Sequence, residues 1–226
     1  MLVDTGMTSS SVTPKSAARL HLTPQFKAVD VTPAGQRMTA GTRSVKVKMG
    51  TSVAENVSFI WQDLNGLRDM GIDVDGALGQ SFLSRFDYVL DYRNRQITLG
   101  PAASMSEGER IDFSRASGRM LVPAWNADGK ALQLVLDSGA SNLCLFDVGE
   151  DQPGLRNVSM LATNGSRGVR LFRLAKLIVG DQVLRKLDSV LSGSADEQRV
   201  EDGLLPASLF ASVYVSNSES YIKLRK

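Results

Sequence analysis

Alternation of apolar and polar residues dominates this chain and predicts β-strands. The period of two is clear where Val45, Val47 and Met49 alternate with lysines. Three longer apolar stretches predict further strands, at residues 53–61, 169–179 and 183–191. Helix signals are few and short; the clearest is Thr13 followed by Pro14, a cap with proline at the first helical position. We therefore expect an all-β fold.

Two acidic triplets occupy equivalent places in this pattern. Asp4-Thr5-Gly6 and Asp137-Ser138-Gly139 each follow a short apolar run. Each is followed later by a partner motif, Asp75-Gly76-Ala77-Leu78-Gly79 in the first case and Asp202-Gly203-Leu204-Leu205-Pro206 in the second. One triplet alone is a weak signal, because Asp-Ser-Gly and Asp-Thr-Gly are common in surface turns. Two triplets with matching partners predict an internal duplication.

The duplication continues beyond these motifs and sets the expected domain organisation. In the alignment of the two copies, residues 81–89 correspond to residues 207–215, and residues 96–99 correspond to residues 221–224. We expect two lobes, at residues 1–100 and 109–226. Residues 101–108, which are rich in Ala, Ser and Glu, are expected to be the linker between them.

The two copies differ before their triplets. A hairpin is predicted at residues 120–136 in the second copy, with its turn at residues 127–129, whereas only residues 1–3 precede the first triplet. We expect that the first lobe lacks its first hairpin and that the natural protein extends further upstream. Such an upstream segment could carry an export signal to the periplasm or the cell exterior, so the sequence leaves the compartment open.

Composition narrows the classes of function. The 226 residues include 26 basic and 24 acidic residues, for a net charge of +2, and no basic stripe indicates a nucleic-acid partner. No apolar run approaches the length of a membrane span. The single cysteine, Cys144, excludes a disulfide within the chain and is expected to be a buried, inert thiol. His21 is the single histidine, so we expect no metal site and no cofactor.

The triplets carry groups that suit hydrolysis by a pair of acids. Two carboxylates a few ångströms apart cannot both ionise easily, so Asp4 and Asp137 would hold one proton between them. One would deprotonate a water while the other protonates a carbonyl oxygen. Glycine at the third position of each triplet, Gly6 and Gly139, permits close backbone approach. The hydroxyls of Thr5 and Ser138 can tie the two turns together.

On these motifs the chain resembles a retropepsin-like aspartic protease whose two halves are fused as in the pepsin family, similar to bacterial aspartyl proteases. The resemblance implies a bilobal, pepsin-like acid protease fold of two pseudo-symmetric β lobes. It also implies that Asp4 and Asp137 are the catalytic dyad, supported by Thr5, Gly6, Ser138 and Gly139. The expected substrate is a peptide or protein, and the expected state is a monomer that acts as an intramolecular pseudo-dimer.

The resemblance implies further roles. The later motifs would thread beneath the active-site turns as structural elements, at Asp75, Gly76, Gly79, Asp202 and Gly203. The second copy departs from the family pattern, because Pro206 stands where a glycine is usual. Neither Met7 nor Ala140 supplies the hydroxyl that acidifies a pepsin-like carboxylate, so activity is expected at mildly acidic to near-neutral pH.

Mobile hairpins over the cleft, called flaps, are also implied. The candidates are residues 32–41, with Gly35 and Gly41 as flexible points, and residues 162–168, with Gly165 and Gly168. Three functions remain open at this stage. The first is an active aspartic endopeptidase. The second is a peptide-binding module of the same fold whose dyad is impaired, and the third is a β-rich interaction domain unrelated to proteases.

Overall fold

The computed structural model describes residues 1–32, 35–69, 71–146, 155–162, 165–193 and 199–226. Their strands are β1 (Leu2–Val3), β2 (Ser10–Val12), β3 (Phe26–Thr32), β4 (Gly35–Met49), β5 (Ser52–Trp61), β6 (Gly76–Leu78), β7 (Tyr88–Asp91), β8 (Gln96–Leu99), β9 (Ile111–Asp112), β10 (Ser114–Ala116), β11 (Arg119–Asn126), β12 (Ala131–Asp137), β13 (Leu143–Phe146), β14 (Arg156–Ala162), β15 (Gly165–Val179), β16 (Gln182–Ser192), β17 (Gly203–Pro206), β18 (Ser212–Ser216) and β19 (Tyr221–Arg225). The α-helices are short: α1 (Pro14–Arg19), α2 (Asn65–Arg68) and α3 (Gln80–Leu83). Two 3₁₀ turns lie at Gly100–Ala102 and Ala207–Leu209. The predicted all-β class is confirmed.

Local sequence explains why these elements form. In β12, Leu132 and Leu134 are buried while Ala131 and Gln133 are exposed, so the alternating pattern places one face of the strand in the core. Helix α1 begins where the sequence predicts, because the Thr13 side chain accepts a hydrogen bond from the backbone N–H of Ser16 at 3.2 Å.

The strands form three sheets. The first sheet has the order β1-β6-β2-β5-β4-β3, and the second has the order β10-β11-β12-β17-β13-β16-β15-β14. The third sheet has the order β8-β7-β18-β19-β9 and draws strands from both halves of the chain. Its central pair, β7 and β18, is antiparallel, with Tyr88 opposite Val215. The two halves of the chain therefore meet through a shared sheet.

The first two sheets repeat one topology. In the first, β1 is parallel to β6, and β2 is parallel to β5 and antiparallel to β6. In the second, β12 is parallel to β17, and β13 is parallel to β16 and antiparallel to β17. The duplication of the sequence is thus matched by a duplication of strand order. The lobe boundaries at residues 100 and 109 stay predictions.

In the second sheet, strands β10 and β11 lie outside β12, so β12 is not an edge strand. Strand β11 pairs with β12, with Leu121 opposite Val135, and it also pairs with β15. Strand β1 occupies the place of β12 in the first half and is the edge strand of its sheet. A short helical turn follows each Asp-Gly motif, as α3 in the first half and as the 3₁₀ turn at Ala207–Leu209 in the second.

The Asp-Gly motifs mark places where two backbones cross closely. A side chain at Gly76 would clash with the carbonyl oxygen of Ser11, and one at Gly203 would clash with the carbonyl oxygen of Cys144. Both glycines are buried at the start of β6 and β17. A glycine is therefore required there by lack of space, since neither position has a positive φ.

We predict that Gly203→Ala lowers the free energy of unfolding by about 2 kcal/mol or more, because the added methyl meets a backbone that cannot rotate away. Urea denaturation measures this effect. The matched control is Gly168→Ala, where a methyl would meet nothing within 4 Å. Its free energy of unfolding should stay within about 0.5 kcal/mol of the wild-type value. Equal effects of the two substitutions would contradict the crossing constraint.

Candidate active site

The structure brings the two acidic triplets together. Asp4 directly follows β1, and Asp137 is the last residue of β12, so both carboxyls stand where a strand ends and the chain turns. The two turns contact each other through backbone donors. Thr5 N–H donates to Ser138 Oγ at 3.0 Å, and Ser138 N–H donates to Thr5 Oγ1 at 2.9 Å.

The same hydroxyls also donate across the boundary between the halves. Thr5 Oγ1 donates to the carbonyl oxygen of Leu136 at 2.7 Å, and Ser138 Oγ donates to the carbonyl oxygen of Val3 at 2.8 Å. Each hydroxyl is therefore a donor and an acceptor toward the opposite half. We call these four reciprocal hydrogen bonds the turn interlock. It is symmetric, and it fixes the position of both acidic residues.

The carboxyls themselves are in contact and are held by backbone N–H groups. Asp4 and Asp137 hydrogen-bond each other through their side chains. Asp4 Oδ1 accepts from Gly6 N–H at 3.0 Å. Asp137 Oδ1 accepts from Gly139 N–H at 2.7 Å and from Ala140 N–H at 3.1 Å. These donors, each from the carboxyl's own turn, fix the orientation of the two side chains.

The triplet glycines face the opposite acid. A Cβ atom at Gly6 would lie 2.6 Å from Asp137 Cγ, and one at Gly139 would lie 2.8 Å from Asp4 Oδ2. Any side chain at either position would collide with the opposite carboxyl. The close approach predicted from the sequence is therefore present, and each glycine makes room for the carboxylate of the other half.

Burial raises the pKa of both acids, and the charge of Asp4 adds to the rise at Asp137. Burial, followed by the charge of Asp4, raises the pKa of Asp137 to about 7, although two backbone N–H donors oppose the rise. Burial also raises the pKa of Asp4 above its ordinary value, against the hydrogen bonds from its own turn. The pair titrates as a unit, so these values belong to the dyad as a whole. At pH values below about 7 the pair carries at least one proton.

A cleft of about 210 Å³ opens at the two carboxyls. Both halves of the chain line it, and several lining residues carry chemistry that the sequence patterns did not single out. These are Asp30 and Gln62 in the first half, and Arg119, Met160, Arg199 and Glu201 in the second. Asp30 lies in β3, where its place in an alternating strand next to a flap candidate was the available signal. Glu201 directly precedes the second Asp-Gly motif.

The flap candidates lie on two equivalent hairpins. Gly35 begins β4 opposite Thr32, and Gly165 begins β15 opposite Ala162. Gly41 lies further along β4 opposite Phe26, and Gly168 lies opposite Ser159. Residues 33–34 and 163–164, which belong to the two flap candidates, lie outside the described residues. Movement of these hairpins stays a prediction.

The later motifs lie away from the cleft lining. Asp75 accepts hydrogen bonds from Ser16 Oγ at 2.5 Å and Arg19 Nη2 at 2.9 Å. Asp202 Oδ2 accepts from the backbone N–H of Gln133 at 2.7 Å. Neither carboxylate is among the residues that line the cleft. Their placement agrees with the structural role that the resemblance implies, which remains a prediction.

The backbone accommodates Pro206, which stands where the family pattern usually has a glycine. At the matching position of the first copy, a Cβ atom on Gly79 would lie 2.5 Å from the carbonyl oxygen of Ser9. Pro206 is the last residue of β17, opposite Asp137, with φ −61° and ψ 122°. These angles suit a proline. The substitution leaves the backbone donors of Gly139 and Ala140 on the Asp137 carboxyl.

The single cysteine and the single histidine of the chain take no part in the dyad. Cys144 is buried in the cleft wall, and burial raises the pKa of its thiol to about 12, so the reactive thiolate is scarce at neutral pH. His21 is exposed and has a positive φ of 54° in the turn after α1. None of the described helices is long and apolar enough to cross a membrane.

Comparisons with family models and with solved structures each give a match. A family model described as aspartyl protease matches residues 1–82, which include Asp4 and the hairpin of β3 and β4. Among solved structures, the chain is similar to a retropepsin-like aspartic protease from Rickettsia conorii, with 16% sequence identity, a TM-score of 0.40, and coverage of 54% of this chain and 97% of that chain. A search of curated proteins gives no match. The predicted resemblance to retropepsin-like aspartic proteases is confirmed.

We predict that Asp137→Asn stabilises the protein increasingly as pH rises. The folded-state pKa of Asp137 is raised from the ordinary 3.8 to about 7, so the folded state binds this proton more tightly than the unfolded chain. The wild type is therefore most stable with respect to this group below about pH 4, and it loses that stability as pH rises through about 7. The amide keeps the shape of the neutral acid and has no charge to bury.

Urea denaturation of both proteins at pH 4 and pH 8 tests this. At pH 8 the variant should be the more stable by at least about 1.4 kcal/mol, the equivalent of one pKa unit. At pH 4 the difference should shrink. Asp181→Asn, at an exposed turn, is the control and should show no such change with pH. A difference between Asp137→Asn and wild type that does not depend on pH would contradict the perturbed titration.

Proposed function

We propose that this protein is an aspartic endopeptidase, which hydrolyses peptide bonds through a water activated by Asp4 and Asp137. The observation that carries the proposal is the contact between two carboxyls from two duplicated turns at the floor of a cleft. A pair of acids held this closely keeps one proton, which supplies a base and an acid at the same place.

The chemistry follows from the shared proton. The ionised carboxylate removes a proton from a water as its oxygen attacks the carbonyl carbon of the peptide bond. The protonated carboxyl donates its proton to the carbonyl oxygen, which gives a neutral tetrahedral diol. Collapse of the diol returns a proton to the leaving amine and breaks the C–N bond. Neither Asp4 nor Asp137 is assigned permanently as the acid or the base, because the two carboxyls titrate as a unit.

The charge state sets the useful pH range. The pair must hold one proton to act, and the pKa of Asp137 is raised to about 7. The competent state is therefore expected to predominate at mildly acidic to near-neutral pH. The backbone donors from Gly139 and Ala140 are the hydrogen bonds on the Asp137 carboxyl from its own turn. No hydroxyl lies at Met7 or Ala140 to lower the pKa further.

The cleft suits an extended peptide chain. Its walls include residues of both hairpins, Asp30 and Val31 from β3 and Met160 from β14. Both carboxyls belong to one chain, so a single copy can contain a complete dyad, and we propose a monomer as the active form. The alternative of an impaired peptide-binding module rests on Met7 and Pro206, together with the expectation that the first lobe lacks its first hairpin. Of these, Pro206 leaves the donors to Asp137 in place.

We predict that Asp4→Asn and Asp137→Asn each lower peptide hydrolysis by about a thousandfold or more, because each removes the shared acid–base function. The measurement is cleavage of a fluorogenic peptide library, with thermal melts to show that the variants fold. Asp75→Asn is the matched control, since it makes the same change at an aspartate outside the cleft. It should retain turnover. A folded wild type that binds extended peptides and cleaves none would favour the binding module.

A further inference from the structure

The two flap-candidate hairpins present different side chains at the same place. In the first hairpin the last pair is Thr32 with Gly35. Asp30, two positions before Thr32, pairs with Arg37. In the second hairpin Met160 pairs with Arg167, two positions before the pair of Ala162 and Gly165. Asp30 and Met160 are therefore related by the duplication. Both line the cleft that holds the dyad.

Asp30 is a buried carboxylate held in a fixed orientation. It is 7% exposed, and Gln62 Nε2 donates to its two oxygens at 3.3 and 3.2 Å. The guanidinium of Arg37 attracts its charge, but no described residue forms an ion pair with it. Burial raises the pKa of Asp30 despite these partners. A cation placed beside it would recover the interaction that burial has removed.

Met160 is surrounded by an apolar wall. Among the cleft-lining residues of the second half are Cys144, Val190 and Leu204, which belong with Met160 to one hydrophobic cluster. Register relates Cys144 to Ser11 and Leu204 to Ala77 in the first half, and neither counterpart lines the cleft. These two apolar side chains thus line the cleft in the second half only, although Met7 and Val31 add apolar lining in the first half. A flexible thioether beside these groups suits an apolar side chain.

The charges of the second half also disfavour a cation there. Arg119 Nη1 lies 2.6 Å from Glu201 Oε1, and Arg199 Nη1 lies 3.7 Å from the same oxygen. Both arginines line the cleft. Among the described residues, the acid of this cluster is Glu201, and it is already in contact with two guanidiniums. A lysine or arginine of a substrate would meet like charges on this side and an acid on the other.

We propose that Asp30 and Met160 make the cleft directional, so that it takes a peptide with a basic side chain toward Asp30 and an apolar side chain toward Met160. The proposal rests on the proposed peptidase function. Because the duplication relates the two positions across the dyad, the recognised side chains lie at matching distances on opposite sides of the cleaved bond. The symmetric dyad would attack either orientation of a peptide, and this pair of residues selects one.

The test uses two libraries of peptides that differ at one matched pair of positions around the cleaved bond. One carries lysine and norleucine, and the other carries glutamate and norleucine. The wild type should cleave the lysine peptides with a kcat/KM about tenfold or more above the glutamate peptides, as expected for a charge-assisted contact in a buried site. Lysine should be enriched on one side of the bond and norleucine on the other. Equal cleavage of both libraries would overturn the proposal.

Variants assign the preference to its residues. Asp30→Asn should bring the ratio of kcat/KM for lysine over glutamate peptides close to one. Met160→Glu should allow lysine on both sides of the bond, because it places an acid at the related position. Asp63→Asn is the matched control, since it removes a negative charge one residue from Gln62 at a position outside the cleft lining. It should keep the wild-type ratio. A preference that survives Asp30→Asn in a folded variant would overturn the assignment.

A binding measurement separates this inference from the peptidase proposal. The probe is a reduced-amide peptide that carries lysine and norleucine and cannot be cleaved, and its binding is followed by fluorescence anisotropy. Charge-selective binding that depends on Asp30, without hydrolysis of any peptide, would support the directional cleft and refute the peptidase. Hydrolysis without charge selectivity would support the peptidase and refute the directional cleft. Absence of both binding and hydrolysis would overturn both.

Discussion

The turn interlock is the interaction on which the rest of this structure depends. Thr5 and Ser138 exchange hydrogen bonds between two turns that come from opposite halves of the chain. These bonds hold the two turns together although both acids are buried and the charge of Asp4 raises the pKa of Asp137. Buried polar groups that are fully satisfied in this way fix one geometry, since any displacement leaves a donor or acceptor without a partner.

The shared third sheet supports the same arrangement from below. Strands β7 and β18 join the halves, and Tyr88, which begins β7, is fully buried. Tyr92, just after β7, is close enough to the dyad that the charges of both acids, after burial, raise the pKa of its hydroxyl to about 12. Two carboxyls that are buried together carry an unfavourable desolvation cost at the site. Such a cost is typical where pKa values serve a reaction.

Much of the fold and of the candidate site could be predicted from the sequence, because the duplication presents each motif twice. The strands, the triplets, the close approach at Gly6 and Gly139 and the start of α1 follow from local patterns. Asp30, Gln62 and Glu201 could not be predicted as cleft residues, since their position depends on how hairpins fold over the dyad. A single acid in a strand, such as Asp30, has the same local pattern whether it faces solvent or a cleft.

The most direct test of the central claim is a carbon-13 NMR titration of labelled aspartate side chains in the wild type and the two Asn variants. A shared proton predicts that one carboxyl of the dyad titrates well above its ordinary range, toward the value of about 7 at Asp137. In Asp4→Asn the pKa of Asp137 should fall, because the charge of Asp4 is one cause of its rise. If both carboxyls titrate near pH 4 and neither responds to loss of the other, the two acids do not share a proton.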